Sequence, residues 1–241
     1  MPIVIPFAFP GVPNVRAAFT TAQGGPDRGN ISYNVPGDPE GVCANRVSLR
    51  EKLGFREWCS LKQVHGDVMV FDPEPVAPDA RSVIQADGSA TNIPGRALVI
   101  KTADCQPILL THESGRFVAA LHAGWRGNVL EFPQKGVAAF CKRYGLKLNE
   151  LLAVRGPSLG PLAAQFTNFD MEFGERFRDF FDPANQTVNL WRLAAAQLEE
   201  AGLLPQRIFS LDLCTWSLKE FHSYRRDKAA SGRQASLIWI E

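Results

Sequence analysis

No apolar run in the chain approaches the ~18 residues that a membrane span requires. The start, Met1-Pro2-Ile3-Val4-Ile5-Pro6, has neither a basic n-region nor a long hydrophobic stretch. A membrane protein or a secreted precursor is therefore not expected, and a cytoplasmic location is. Among Cys43, Cys59, Cys105, Cys141 and Cys214 there is no CxxC pair, the count is odd and the spacings are wide. That argues against a disulfide framework and for a reducing compartment. Charge of one sign is also lacking: the net value is +1 at pH 7, so neither nucleic acid nor an anionic membrane is an expected partner. Phosphate-binding signatures of the GxGxxG and GxxxxGK(S/T) kinds are missing, which leaves Rossmann and P-loop readings without support. No repeat, low-complexity tract or linker interrupts the sequence. The 241 residues thus read as a single domain, 1–241, long enough to bury a sizeable core.

What the chain does contain is strand-like and helix-like segments without strict alternation. Ala17 to Thr21 reads as a strand, and Gln23 to Asn30 as a loop, either solvated or binding. Asp38 is an N-cap and Pro39 a first-turn residue for a helix with Val42, Arg46, Leu49 and Leu53 at helical spacing, stopped by Gly54. Residues 72–82 read as a connecting loop and Gln85 to Gly88 as a turn. Val137, Phe140 and Tyr144 mark a helix ending at Gly145, with Pro133 in its first turn or at a kink. Leu151 to Val154 is a strand running into the rigid loop Arg155 to Pro161, and residues 171–181 are expected to form a helix with phenylalanines on its inner face. Asn189 caps a helix stopped by Gly202, while Arg207 to Leu213 and Leu237 to Ile240 read as strands. Cys43 and Cys141 fall in helical patterns as small apolar fillers. This intermixing predicts an α/β or α+β mixed-sheet sandwich.

Three stretches share one build. The apolar run Phe117 to Leu121 ends in His122, followed by Gly124-Trp125-Arg126-Gly127. Cys105 stands between the runs Ala97 to Ile100 and Ile108 to Leu110, and His65-Gly66 stands just before Val68 to Phe71. A polar side chain at the edge of a buried strand is where a rigid scaffold presents chemistry. Two imidazoles and a thiolate suit zinc. Separations of 40 and 17 residues are unlike those of a zinc finger, and three protein ligands are the number a catalytic zinc takes, leaving a position for water or substrate. His222 and, less well placed in a hairpin turn, His112 remain as a fourth ligand of a structural site.

A cation held by His65, Cys105 and His122 would stabilise the thiolate and lower the pKa of water toward ~7. Asp104, beside the thiolate, is read as orienting a ligand, moving a proton or capping the turn. Arg126 and Arg225 are candidates for holding an anion such as phosphate, or are surface arginines; Arg46 makes a structural ion pair or reaches an anionic ligand.

These motifs carry a resemblance. Lys62-Gln63-Val64-His65-Gly66, Thr102-Ala103-Asp104-Cys105-Gln106-Pro107 and His122-Ala123-Gly124-Trp125-Arg126-Gly127 resemble the YfiH-type "laccase-domain" family of zinc-dependent purine nucleoside phosphorylases. Supporting matches are Ala18 to Thr21, Asn45-Arg46, Gly156 to Pro161, Cys214-Thr215, and Ser223 to Arg226 with Gly232-Arg233, so the likeness runs from near residue 17 to the end. The resemblance implies zinc on His65, Cys105 and His122, with nucleoside and phosphate as small-molecule partners. It implies phosphorolysis of adenosine, inosine, guanosine and S-methyl-5′-thioadenosine, and deamination of adenosine. The implied fold is a mixed sandwich similar to Cys-His toxin deamidases. Two positions depart from the family's pattern: Ala22 stands where an Arg is usual, and Ala164-Gln165-Phe166 where Tyr-Glu-Val is usual. An alternative is a cysteine amidase or deamidase with Cys105 as nucleophile and His122 as base, of the kind linked to editing of cell-wall peptide precursors. Copper oxidation of phenols, the older family label, needs many His ligands, and the chain has four.

Overall fold

Along the segment Arg96–Thr102, Leu98 and Ile100 point into one apolar cluster while Ala97 and Val99 point into another. A strand buried on both faces belongs to a sheet covered on both sides, which is why it reads as an unbroken apolar run. The computed structural model, which describes Met1–Glu241, contains two such sheets.

The first strands are β1 (Val4–Ala8), β2 (Val15–Thr20), β3 (Glu57–Ser60), β4 (Met69–Phe71), β5 (Gly88–Thr91), β6 (Arg96–Thr102), β7 (Gln106–His112) and β8 (Val118–Ala123). They are followed by β9 (Leu151–Arg155), the short pair β10 (Phe181–Asp182) and β11 (Thr187–Val188), then β12 (Ile208–Ser210) and β13 (Gln234–Ile240). The helices are α1 (Pro39–Leu53), α2 (Trp125–Val129), α3 (Phe132–Tyr144), α4 (Phe169–Glu172), α5 (Leu190–Glu200) and α6 (Tyr224–Asp227). One sheet has the order β1-β2-β13-β6-β3 and the other β12-β9-β7-β8-β5-β4. Each is mixed: β3–β6, β4–β5 and β9–β12 pair in parallel, and the remaining neighbours are antiparallel.

Between the sheets lies a core built on Phe19, Leu98, Ile100, Leu109, Val154 and Ile238. The outer face of the five-stranded sheet packs Val99, Trp58 and Trp239 against Leu49 of α1. The outer face of the six-stranded sheet packs Ile108 and Leu121 against Phe140 of α3 and Leu198 of α5. The result is a four-layered sandwich, helix, sheet, sheet, helices. Truncating a fully buried side chain such as Phe140 to Ala in such a core costs ~3–5 kcal/mol.

The helix punctuation follows the sequence. The Asp38 carboxylate accepts from the backbone N–H of Glu40 at 3.1 Å and of Gly41 at 3.0 Å, and Gly54 ends α1 at φ 78°. Pro133 sits in the first turn of α3, where its missing N–H costs nothing. One expectation is corrected: residues 171–181 do not form a single helix. Gly174, at φ 83°, ends the short α4, and a 3-10 turn and β10 follow. Phe166, Phe169, Phe173 and Phe177 collapse into their own cluster with Trp125 packed on it, so aromatic packing rather than helical periodicity spaces them. The strand read at 207–213 shortens to β12, and the one at 237–240 lengthens back to Gln234. No helix is long and apolar enough to cross a membrane.

Two of the connections that pass from one sheet to the other carry candidate donors. Residues 61–68 join β3 to β4, and Ala103-Asp104-Cys105 joins β6 to β7. The end of β8 lies beside β7 through the pairing Gln106↔Ala123. All three candidate donors therefore belong to one end of the sandwich.

Candidate metal centre

The ligand atoms of His65, Cys105 and His122 lie within 4.8 Å of one another. That is little more than twice a metal–ligand bond of ~2.0–2.3 Å. His122 is 3% exposed on β8, Cys105 is half-buried, and His65 is exposed on its loop. The two imidazole rings meet edge to face with centroids 4.9 Å apart.

Asp87 organises this cluster. Its side chain is fully buried and one oxygen lies 2.8 Å from His122 Nδ1. The same carboxylate accepts from the backbone N–H groups of Val64, His65 and Gly66 at 3.1, 2.9 and 2.8 Å. The antiparallel register Gly88↔Leu121 sets Asp87 beside His122, and the His122 N–H donates to the Asp87 carbonyl at 2.7 Å. With Nδ1 so engaged, the His122 ring turns Nε2 toward Cys105 and His65, the tautomer a metal ligand needs. Burial pushes the Asp87 carboxyl up, but hydrogen bonds from His122, Gly66 and Val64 outweigh it and hold the group below its usual range.

The backbone is bent to deliver the donors. His65 (φ 62°) and Asp104 (φ 89°) occupy the left-handed region, rare for residues other than Gly and recurrent at functional sites. Asp87 holds the first bend. The second is held because the Asp104 carboxylate accepts from Thr215 Oγ1 at 2.7 Å and from the Arg225 N–H at 2.5 Å. Asp104 thus ties the cysteine turn to the start of α6; neither histidine is among its partners. Gln63 fixes the other loop to β6, donating to the Lys101 carbonyl at 2.8 Å and accepting from its N–H at 2.9 Å.

Electrostatically, Cys105 and His122 form a pair. Burial raises the Cys105 thiol, yet the positive His122 and hydrogen bonds from His122 and His65 bring it down to about 6. Burial lowers His122, yet the Cys105 thiolate and the Asp87 hydrogen bond push it up to about 9. A thiolate beside two imidazoles is a donor set for a divalent cation, and the space among them is real. A Cβ placed on Gly124 would lie 2.8 Å from Cys105 Sγ and 3.3 Å from His65 Cδ2, so the glycine keeps that cradle open.

The cluster forms part of the wall of a cleft of about 870 Å³. Trp125 and Phe166 supply aromatic surface there, Arg126 stacks 4.3 Å from the Trp125 ring, and Arg225 lies 5.8 Å from that of Phe166. Arg225 also donates to the Gln165 carbonyl at 3.0 Å. Of the residues singled out from the sequence, His65, Cys105, His122, Asp104, Arg126 and Arg225 all line this cleft. Arg46 does not. It is 2% exposed, donates to the carbonyls of Ile31, Pro78 and Ala80, and lies against the rings of Tyr33 and Trp58, so the anion-holding role read for it gives way to a structural one. His112 sits at the far end of β7, bonded to Ser114 and Glu150. His222 bonds the Arg28 carbonyl and packs against Gly232. Neither serves as a fourth donor.

The site roles of three residues escaped the sequence reading. Asp87 had only the signal of an acid preceding a run of small residues, in a segment taken for a turn. Lys101 and Arg233 line the cleft from β6 and from the approach to β13; the sequence offers no role for Lys101 and notes Arg233 only within the Gly232-Arg233 match.

Comparison with known proteins bears on what such a cleft does. A family model described as multi-copper polyphenol oxidoreductase laccase matches residues 16–241. A Pseudomonas aeruginosa protein named a purine nucleoside phosphorylase is 36% identical, over 97% of this chain and 96% of its own length. The Escherichia coli purine nucleoside phosphorylase YfiH is 32% identical, over 99% and 98%. Among solved structures, a Neisseria meningitidis protein of DUF152 superposes with a TM-score of 0.85 at 29% identity, over 99% of both chains.

Proposed function

Because the chain belongs to the family described as multi-copper polyphenol oxidoreductase laccase, and relatives that it matches end to end are named purine nucleoside phosphorylases, we propose that it is a zinc-dependent purine nucleoside phosphorylase. On this reading adenosine, inosine, guanosine and S-methyl-5′-thioadenosine are substrates with phosphate, and adenosine is also deaminated in water. The observation that carries it is the meeting of two imidazoles and a thiolate on the wall of a cleft that pairs aromatic surface with cationic side chains.

The donor set favours zinc: two borderline nitrogens and one soft sulfur, with a position left for a ligand. Multicopper chemistry needs many imidazoles, and only His65 and His122 of the four histidines reach the cleft. A cation held there supplies Lewis-acid charge beside the reacting centre. The chain's own residues do the rest. Trp125 and Phe166 offer apolar faces to a purine, and Arg126 and Arg225 make the mouth attractive to phosphate. In phosphorolysis a phosphate oxygen bonds to C1′ of the ribose as the C1′–N bond breaks. The bonding pair leaves with the base, and the phosphate's proton ends on the base nitrogen. Asp87 keeps His122 in one tautomer throughout, and Asp104 positions both Cys105 and Arg225.

The direct test is to load the purified protein with zinc and supply adenosine, with and without phosphate. Adenine and ribose 1-phosphate are expected with phosphate, and inosine in its absence. Zinc-loaded protein that produces none of these removes the nucleoside assignment.

A second reading has its own observation. Cys105, His122 and Asp87 stand as nucleophile, base and orienting carboxylate, with the thiol already brought down to about 6. A cysteine amidase or deamidase would use that arrangement without metal. Chelation separates the two: it silences the zinc enzyme and leaves or increases thiolate catalysis.

A further inference from the structure

The cations lining the cleft fall into two kinds. Arg126 and Arg225 lie against aromatic rings; Arg126 is exposed, and Arg225 already donates to a carbonyl. Lys101 and Arg233 form a different group. Lys101 is 9% exposed, and its ammonium has one acceptor, the Leu61 carbonyl. An ammonium has three donors, so two remain. Arg233 spends Nη1 on the carbonyls of Ser231 and Gly232, at 2.9 and 2.8 Å. Its Nε and Nη2 make no hydrogen bond within the chain, and these two are the parallel edge with which a guanidinium grips a phosphate in two-pronged fashion.

The two residues come from adjacent strands. Ala235 of β13 pairs with Lys101 of β6, and Gln234 with Thr102, which brings the chain at Arg233 to the end of β6. Thr102 lines the same cleft, and its hydroxyl, in a residue 1% exposed, has no hydrogen-bond partner. Neither cation makes a salt bridge, although Cys105 and Asp104 both act on Arg233 through space. Keeping a cation out of water without an anion is unfavourable, and a built site with spare donors relieves that cost when an anion arrives.

We propose that Lys101 and Arg233 form the subsite that takes free inorganic phosphate as the co-substrate, while Arg126 and Arg225 at the mouth frame the aromatic slot for the base. The assignment rests on the phosphorolysis reading above, but it can be tested apart from it. Inorganic phosphate is titrated by calorimetry into the zinc-loaded enzyme, alone and with adenine present, for the natural chain and for Lys101→Met and Arg233→Lys. The thermal midpoint of each variant is recorded first. The milder Arg233→Lys carries the test if the buried methionine prevents folding.

The expected result is phosphate binding by the natural chain that weakens about tenfold or more in each folded variant, as for loss of a charge-assisted hydrogen bond. In steady state the KM for phosphate should rise by the same factor while the nucleoside KM moves less than about threefold. No phosphate binding by the natural chain, or variants that bind it equally well, overturns the assignment. So does adenosine 5′-monophosphate binding more tightly than adenosine through these two residues, since the subsite would then serve a nucleotide. Phosphate bound as expected with no nucleoside turned over leaves the subsite standing and sinks the phosphorolysis reading alone.

Discussion

His122 Nδ1 and Asp87 Oδ1 lie 2.8 Å apart, both side chains sealed from solvent, and the same carboxylate gathers the three N–H groups that turn His65 into position. One acid thus sets two of the three donors, one through its ring and the other through its backbone.

Asp87→Asn should therefore weaken zinc binding. The amide keeps the volume but brings an NH2 group against N–H donors that need an acceptor. Removing such an outer partner of a metal-bound histidine costs ~10–100-fold in affinity. Competition against a chromophoric chelator measures it, and an unchanged dissociation constant would show that the carboxylate is not what positions the ligands.

Gly124→Ala addresses the cradle itself. The backbone at Gly124 (φ −75°, ψ 178°) is open to any residue, so the added methyl is not a folding problem. Its contact with Cys105 Sγ is the problem, since 2.8 Å is too close and the thiolate must shift. Zinc content after dialysis should fall sharply while the melting temperature of the metal-free protein stays within a few degrees. Full zinc occupancy in this variant would contradict the placement of the site.

In metal-free protein Cys105 should be the most reactive of the five thiols. With its thiol near 6 it is ionised through neutral pH, whereas burial lifts Cys59 to about 12 and Cys141 to about 11. Iodoacetamide at pH 7 should label Cys105 first, as read by peptide mass mapping, and zinc should protect it. Labelling that zinc does not slow would argue against a thiolate ligand.

His222, which is not among the residues lining the cleft, gives the fold an acid-sensitive point. Burial lowers it to about 4 from an ordinary 6.5. Between those values the unfolded chain binds a proton that the folded chain refuses, so stability falls as pH drops from about 6.5 toward 4. For a shift of this size the loss is on the order of 3 kcal/mol. Urea midpoints at pH 7 and 4.5 should differ less in His222→Gln than in the natural chain. Identical pH slopes would remove His222 from the account.

The donors themselves were legible because each stands at the edge of an apolar, strand-like run, and that pattern survives in a bare sequence. The sandwich was legible for a related reason: runs such as Ala97 to Ile100 are apolar at every position only when both faces of a sheet are covered. Asp87 was not legible, since its partners are 22 and 35 residues away and meet it only through the pairing of β5 with β8. Arg46 misled for the opposite reason. An arginine on the inner side of a helix looks poised for a ligand until loop carbonyls of Ile31, Pro78 and Ala80 are seen to surround it. Between 171 and 181, closely spaced phenylalanines imitated a helical stripe, and Gly174 was the one residue that spoke against it.

His65 and Cys105 ride on two of the connections that cross between the sheets, and His122 on a strand of the second sheet. The triangle of donors is therefore a gauge of how firmly one sheet is seated on the other. A slight shear between them opens it, so loosening a distant interlayer side chain such as Ile100 or Leu109 should quicken the escape of zinc long before the domain itself comes apart.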